Sequence, residues 1–214
     1  RTGREYEEAR AADSIPAYEA FLARHPEGKY ADEARTMIAW HRATAEASIP
    51  AYEGFLAEHG TSEFTAEAEA VLEELYHQRQ LIPVEREGKI GYVEPSGLVV
   101  VAPTYDQAGD FVEDRALVRR DSLWGFIDKS GGAVTELRFR QATDFSEGLA
   151  ASAEEDGRWG FLGLDGEPVI EPLYEDAWAF SEGLALVEMD GKWGFIDTTG
   201  AVVGLIQSIE GGSA

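Results

Sequence analysis

A five-residue pattern built on a Trp-Gly pair recurs through the C-terminal half of the chain. It reads WGFID at residues 124–128, WGFLG at 159–163 and WGFID at 193–197, and IGYVE at 90–94 is a diverged first copy. The copies begin 34, 35 and 34 residues apart. An apolar run precedes three of the pairs, and a glycine and a third run follow each pair. Short apolar runs separated by turn residues predict about three short β-strands in every copy.

The recurring unit has a closing segment and two departures from regularity. PTYD at residues 103–106 and PLYE at 172–175 each lead on to a phenylalanine. With the Trp-Gly pairs, this pattern resembles WG (KWG) β-repeats over residues 84–207, which implies an all-β repeat domain. The second copy differs, because TELRFR at residues 135–140 stands where the others have an apolar pair and proline. The fourth copy lacks the closing segment after residues 202–206, so we expect it to be the C-terminal cap.

The N-terminal part carries a different repeat, with helical spacing. SIPAYE at residues 14–19 returns at 48–53, an offset of 34 residues. In each copy, apolar residues at spacings of three and four follow serine and proline, which is typical of an amphipathic helix with an N-cap. A break such as HPEG at 25–28 precedes a second apolar stripe, so each unit is predicted to be a helical hairpin. The period and the break resemble tetratricopeptide-like (TPR-like) repeats over residues 1–79.

The same offset places residues 1–12 on residues 35–46, within the second helix of a hairpin. The chain is therefore expected to begin partway through a repeat. Because each repeat buries its apolar face on its neighbours, the end of a solenoid normally carries a polar cap. We therefore expect Arg1 to lie at a boundary within a longer array.

These two periodicities predict an α+β fold with segregated halves. We expect TPR-like α-helical hairpins over residues 1–80 and an all-β domain of about four three-stranded WG units over residues 84–210. This pattern amounts to about eleven strands, with residues 81–83 as the joint. Whether the β-units stack linearly or curl round an axis stays open.

Composition excludes several classes of ligand. The chain has 41 acidic and 18 basic residues, and its formal net charge of −23 repels nucleic-acid phosphates and acidic membrane surfaces. No apolar run approaches the roughly eighteen residues that a spanning helix needs. The absence of cysteine removes disulfides and thiolate sites. No signal peptide opens the sequence, and we expect a cytoplasmic protein, with an exported mature form left open.

The residue types and spacings in the sequence give little support for catalysis. The four histidines, His25, His41, His59 and His77, all lie in the helical part, so the β-region lacks a Ser/His/Asp or Cys/His site. His25 and His59 share one repeat position at a helix end, where we expect them to meet the last carbonyl groups. No spacing suits a metal or phosphate site. We expect no enzyme activity, cofactor or metal, although a glycosidase-like pair among the many carboxylates stays open.

Two groups of residues are candidates for contacting a partner. The first is a cluster that holds five of the ten basic residues after position 80. Its members are Arg115, Arg119, Arg120, Arg138 and Arg140. They either pair with acidic neighbours such as Glu136 and Asp144 or form a docking patch for an acidic peptide or for an acidic surface of the same protein. The second group is Trp40 and Trp178, which equivalent positions do not share, although Trp40 also suits packing between helices.

Other aromatic residues recur at equivalent positions of three copies and would form columns if the copies stack. They are Trp124, Trp159 and Trp193, Tyr105, Phe139 and Tyr174, and Phe111, Phe145 and Phe180. Such columns are usually core, whereas exposed rings would offer a platform for a peptide or a sugar.

Repeats without reactive machinery favour a protein-interaction module whose partner the sequence does not identify. The helical signature also resembles arrays attached to bacterial caspase-like peptidases and other multidomain signalling proteins. That resemblance implies a regulatory or substrate-recruiting part of a larger bacterial protein, with any catalytic domain upstream. The alternative is a cell-surface module that binds cell-wall glycan through its aromatic columns. Solvent exposure of the recurring tryptophans separates the two.

Overall fold

The computed structural model of the protein describes residues 1–205. The chain divides into two compact units, one of residues 1–78 and one that begins at Arg79. The predicted regions, 1–80 and 84–210, place the division a few residues later, and residues 206–210 lie outside the described residues. The first unit is helical and the second consists of β-sheets, so the α+β fold with segregated halves is confirmed.

Five helices make up the first unit. They are α1 (Thr2–Ala12), α2 (Ile15–Arg24), α3 (Lys29–Glu46), α4 (Ile49–His59) and α5 (Thr65–Gln78). Helices α2 and α3 pair as one hairpin and α4 and α5 as the next, while α1 ends 34 residues before α3 does. Ser14 and Ser48 are the N-caps of α2 and α4, but only the Ser48 hydroxyl accepts a helix amide, that of Ala51 at 3.3 Å.

An aromatic contact repeats in the helical core. Tyr6 packs on Phe21 with ring centroids 5.5 Å apart. The residues 34 positions later, Trp40 and Phe55, pack with centroids 5.3 Å apart. All four side chains are buried. Tyr6 and Trp40 therefore hold the same place in successive units.

The described part of the second unit forms fourteen strands in four antiparallel sheets. Sheet 1 contains β1 (Ile82–Arg86), β2 (Lys89–Val93) and β3 (Val99–Tyr105). Sheet 2 contains β4 (Gln107–Ala108), β5 (Arg115–Arg120) and β6 (Leu123–Asp128). Sheet 3 contains β7 (Gln141–Ala142), β8 (Leu149–Ala153), β9 (Trp159–Gly163) and β10 (Pro168–Tyr174). Sheet 4 contains β11 (Asp176–Ala177), β12 (Leu184–Met189), β13 (Lys192–Asp197) and β14 (Val202–Leu205). Consecutive strands are neighbours, so every sheet is a meander.

The strands outnumber the predicted eleven chiefly because each closing segment adds a two-residue strand. The short strands β4, β7 and β11 pair with the first long strand of the next sheet, as Ala108 does with Val118 and Ala177 with Val187. One sequence copy therefore begins in one sheet and ends in the next. This overlap makes each sheet depend on two successive copies.

The irregular second copy has no regular third long strand. Residues 133–139 follow β6 through isolated bridges, one of them between Trp124 and Phe139. The buried Thr135 hydroxyl accepts the Phe126 amide at 3.0 Å. The polar TELRFR segment still covers β6, because a side chain replaces part of the backbone ladder.

The glycine of each Trp-Gly pair lies beneath the third strand or segment of its own copy. A Cβ atom on any of the four would lie 2.3–2.9 Å from a backbone carbonyl oxygen of that segment. The four residues are Gly91, Gly125, Gly160 and Gly194. Only glycine permits an approach this close, which explains the invariant second letter of the pattern. The four copies thus share one local conformation.

Successive sheets contact one another through equivalent aromatic pairs. The pairs are Tyr92–Phe111, Phe126–Phe145 and Phe161–Phe180. Their ring centroids are 5.0, 4.8 and 4.8 Å apart, and the interplanar angles are 64°, 61° and 63°. The first ring belongs to the Trp-Gly strand of one sheet and the second to the loop that enters the next sheet. This edge-to-face contact is therefore a fixed part of the repeat interface.

Candidate partner-binding site

The structure separates the five candidate arginines. Arg115 begins β5, whereas Arg119 and Arg120 end it, about 13 and about 17 Å away at the usual rise of a strand. The Arg115 Nε donates a hydrogen bond to the Leu164 carbonyl oxygen, in the turn after β9, at 2.8 Å. Arg115 therefore ties two sheets together and does not belong to a common patch.

Arg119 and Arg120 lie over aromatic rings. The Arg119 Cζ is 5.6 Å from the centroid of Trp124, the residue opposite it on β6, and the Arg120 Cζ is 5.9 Å from that of Tyr105. Arg119 also donates to the Gln107 side chain at 3.3 Å. These cation–π contacts hold both guanidinium groups against the protein.

Arg138 and Arg140 pair with carboxylates at the end of β8. The Arg138 Nε is 3.3 Å from Glu154 Oε1, and an Arg140 Nη2 is 3.1 Å from Glu155 Oε1. All four side chains are exposed to solvent. Exposed pairs contribute about 1 kcal/mol or less, so a partner's carboxylates can take the place of these two.

The acids suggested by the sequence, Glu136 and Asp144, do not form these pairs. The Arg140 amide donates to the Ala153 carbonyl oxygen at 2.8 Å, and this pairing brings the residues after Ala153 opposite the arginines. Burial, together with the charge of Asp110, raises the pKa of Asp144. Internal pairing does occur, but with carboxylates that only the strand register brings close.

Trp40 has little surface left for a partner. It is 8% exposed and stacks on Phe64 with ring centroids 4.9 Å apart. Its equivalent in the preceding unit, Tyr6, is also aromatic and buried. The interpretation of Trp40 as an unshared contact residue is wrong, because the offset places core rings at both positions.

Trp178 is the exposed member of the predicted pair. It lies between β11 and β12 and is 62% exposed. Gly109 and Thr143 stand at the equivalent positions of the earlier copies. The Trp178 amide donates to the Leu186 carbonyl oxygen at 2.9 Å, which holds the backbone in place while the ring faces solvent. Trp178 therefore stays a candidate contact residue.

Most of the recurring aromatic side chains are buried. Those with an exposure of 8% or less are Phe139, Phe145, Trp159, Tyr174 and Phe180. Trp124 and Trp193 are partly buried. The recurring rings thus form core contacts rather than an open platform, and the glycan alternative loses its main support.

His25 and His59 contact side chains instead of the last carbonyl groups of their helices. The His25 Nε2 is 2.7 Å from Glu5 Oε2, and the His59 Nδ1 is 3.1 Å from Thr36 Oγ1. The hydrogen bonds from His25 and from Arg1 lower the pKa of Glu5 to about 2. Each imidazole joins the end of its helix to an earlier helix, α1 for His25 and α3 for His59, which is a structural role.

A surface groove in the helical unit is lined by residues of α1 and α3 and by the segment around the end of α4. Acidic residues outnumber basic ones there, with Asp32, Glu33, Glu58 and Glu63 against Arg10 and Lys29.

Across residues 1–205, no three His, Cys, Asp or Glu side chains are arranged to hold a metal ion. In that same part of the chain, no helix combines the length and the apolar character needed to span a bilayer.

Sequence reasoning missed Phe195 as a surface residue. Its equivalents Tyr92, Phe126 and Phe161 are exposed by 1% or less, yet Phe195 is 38% exposed. The signal was available, since the fourth copy lacks the closing phenylalanine that would pack on it.

The family model for the WG containing repeat matches residues 90–124, 124–157 and 159–193. The C-terminal region therefore contains three matches to the WG repeat. Each matched span runs from one Trp-Gly segment to the next or nearly so, and residues 90–193 include strands from all four sheets. No curated protein sequence matches the chain significantly.

Several solved structures are similar to parts of the chain. The computationally designed Ika4 protein is 15% identical, with 45% of this chain and 69% of that chain covered and a TM-score of 0.33. BamB from Moraxella catarrhalis is 16% identical, with coverages of 58% and 45% and a TM-score of 0.37. The WD40 β-propeller domain of Doa1 is 13% identical, with coverages of 60% and 51% and a TM-score of 0.32. At these TM-scores the similarities support no conclusion about function.

Proposed function

We propose that this chain is a non-catalytic WG-repeat module that binds a protein or peptide partner. The observation that carries the proposal is Trp178, which is 62% exposed on a scaffold whose recurring rings are mostly buried. Exposed aromatic side chains supply large contact areas at low entropic cost and are enriched at binding hot spots. We further propose that the helical unit consists of TPR-like hairpins and that the protein is cytoplasmic. We also propose that it belongs to a larger bacterial signalling or caspase-like peptidase protein.

A second surface suits an acidic partner segment. Arg138 and Arg140 are each held by one exposed carboxylate, on a chain whose net charge of −23 makes basic patches scarce. We expect the double variant Arg138→Glu/Arg140→Glu to fold normally and to lose capture of an acidic partner. Unchanged capture would remove this surface from the proposal.

The proposal is tested by cross-linked affinity capture from the native host with the full chain. We expect a specific protein whose recovery falls at least about tenfold with Trp178→Ala, in the range of a hot-spot residue. Leu98→Ala is the matched control, because Leu98 is also an exposed apolar residue, at 54%, and precedes β3 in sheet 1. If the full chain retains no protein, or if every variant captures equally, the proposal is refuted.

A further inference from the structure

The closing loop FSEG at residues 180–183 leads into sheet 4 and packs against residues of the preceding copy. The Phe180 ring meets Phe161 edge to face, with centroids 4.8 Å apart. The Ser146 hydroxyl donates to the Phe180 carbonyl oxygen at 2.8 Å. The Gly183 amide donates to Glu147 Oε2 at 2.8 Å. The receiving site therefore has three parts, an aromatic ring, a hydroxyl donor and a carboxylate acceptor.

The preceding interface repeats two of these parts. Phe145 meets Phe126 with centroids 4.8 Å apart, and the Gly148 amide donates to Glu113 Oε2 at 2.9 Å. Val112 stands at the serine position and has no hydroxyl. The ring and the carboxylate are thus the constant parts of the interface.

Sheet 4 carries all three parts, and within residues 1–205 none of them has a partner. The repeat offset places Phe195, Ser181 and Glu182 at the positions of the ring, the hydroxyl and the carboxylate that hold the Phe180 loop. Phe195 is 38% exposed, although Phe161 in the same place is 0% exposed. The side chains of Ser181 and Glu182 are exposed and make no hydrogen bond within residues 1–205.

Trp178 extends this surface. A Cβ atom on the equivalent Gly109 would lie 3.6 Å from an oxygen of Asp144, the residue immediately before Phe145. By the same geometry, the Trp178 side chain lies beside the residue that precedes the aromatic ring of a bound loop. We call the surface formed by Trp178, Ser181, Glu182 and Phe195 the receiving face.

Neither residues 206–214 nor a second copy suits the receiving face. Residues 206–214 read IQSIEGGSA and contain no aromatic residue, so they cannot supply the ring that Phe180 supplies to Phe161. In a second copy, Phe145 and Phe180 are 3% and 1% exposed because they are already packed. The net charge of −23 also disfavours self-association.

We propose that the receiving face binds a loop of a partner protein with an aromatic residue at its first position and glycine at its fourth. This inference rests on the proposed function and names its site. The aromatic ring of the partner loop packs on Phe195. The backbone carbonyl oxygen of that aromatic residue accepts a hydrogen bond from the Ser181 hydroxyl, and the backbone amide of the fourth loop residue donates to the Glu182 carboxylate. Basic residues beside the ring strengthen binding, because the whole chain is acidic.

The probe for this site is the synthetic peptide RFRQATDFSEG, which copies residues 138–148. It contains a closing loop and two arginines, and it lacks tryptophan, so a change in the tryptophan fluorescence of the full chain, to which Trp178 contributes, reports binding. We expect saturable binding with a Kd of about 0.1–1 mM, the range of a small contact made by one ring and two hydrogen bonds.

Two variants of the full chain test the named contacts. Phe195→Ala and Glu182→Ala should each raise the Kd at least about fivefold, and a peptide with alanine in place of Phe145 should bind as weakly. Leu98→Ala, the exposed apolar control in sheet 1, should bind with unchanged affinity. Because the Glu182 side chain makes no hydrogen bond within the described residues, Glu182→Ala tests the site even if Phe195→Ala affects folding.

Equal affinity of the peptide for the wild-type chain and both variants would overturn the inference. Failure of the linear peptide and of a cyclised version to bind at millimolar concentration would overturn it as well. Capture of a host protein that is equally strong with Phe195→Ala would remove this site and leave the proposed function standing. Loss of all capture by the wild-type chain would instead refute the proposed function.

Discussion

The buried Phe161 and its exposed equivalent Phe195 allow a matched test of the repeat interface. Phe161→Leu removes an edge-to-face contact with Phe180 at a centroid distance of 4.8 Å. Such a pair contributes about 0.5–1.5 kcal/mol beyond area burial, and repacking around a ring of different shape costs up to about 1.5 kcal/mol. We therefore expect Phe161→Leu to lower the free energy of unfolding by about 1–3 kcal/mol. Phe195→Leu should lower it by about 0.5 kcal/mol or less, because Phe195 is 38% exposed and no ring of the described residues packs on it.

Urea unfolding followed by tryptophan fluorescence measures these differences. Four of the five tryptophans, all except Trp40, lie in the β unit, so the signal reports mainly on that unit. A double-mutant cycle with Phe161→Leu and Phe180→Leu should give a coupling of about 0.5–1.5 kcal/mol. Equal losses for Phe161→Leu and Phe195→Leu, or a coupling near zero, would show that the aromatic pair does not stabilise the interface.

Gly166→Ala should destabilise the β unit by about 2–5 kcal/mol, because its φ of +82° is strained for alanine and its Cβ would lie 2.7 Å from a carbonyl oxygen of the preceding copy. Gly157→Ala, with a φ of +75° and open surroundings, should cost only about 1–2 kcal/mol in the same urea experiment. Ser122→Gly should raise the free energy of unfolding by about 0.5–1 kcal/mol, because Ser122 has a φ of +70° at a turn position where the other copies have glycine; a lower urea midpoint would contradict this. Glu5→Gln should destabilise the helical unit near neutral pH, and the difference from wild type should shrink as pH falls from about 4.5 to about 2. The folded pKa of Glu5 is lowered from 4.5 to about 2, so its stabilisation is present above the unfolded value and is lost as pH falls through the folded one. Far-UV circular dichroism in urea at several pH values measures this trend, and a difference that stays constant over this pH range would contradict it.

Much of the fold could be predicted because both repeats are visible in local sequence. The SIPAYE copies place α2 and α4 correctly, and the offset also places the end of α1. Trp-Gly pairs mark the strands β6, β9 and β13, and the equivalent Ile-Gly pair marks β2. Glycine is required at each because a neighbouring carbonyl oxygen approaches closely. The short strands β4, β7 and β11 were missed, since two residues carry no periodicity.

The candidate site was predicted less well, because exposure depends on contacts between distant residues. Trp178 was singled out because its equivalents are not aromatic, and it is exposed, while its contact role stays a prediction. Trp40 was chosen by the same criterion and lies in the core. The partners of Arg138 and Arg140 could not be predicted, since the pairing of β7 with β8 determines which acids lie opposite them.

Local periodicity was sufficient to establish two repeat classes and the conformation of each copy, because turns, strand alternation and helix stripes depend on residues close together in the chain. Burial was settled only when the copies came together in space. Phe161 and Phe195 occupy nearly identical segments, WGFLG and WGFID, yet their exposures are 0% and 38%. The difference arises from one ring, that of Phe180, which packs on Phe161 and has no counterpart on Phe195 among the described residues.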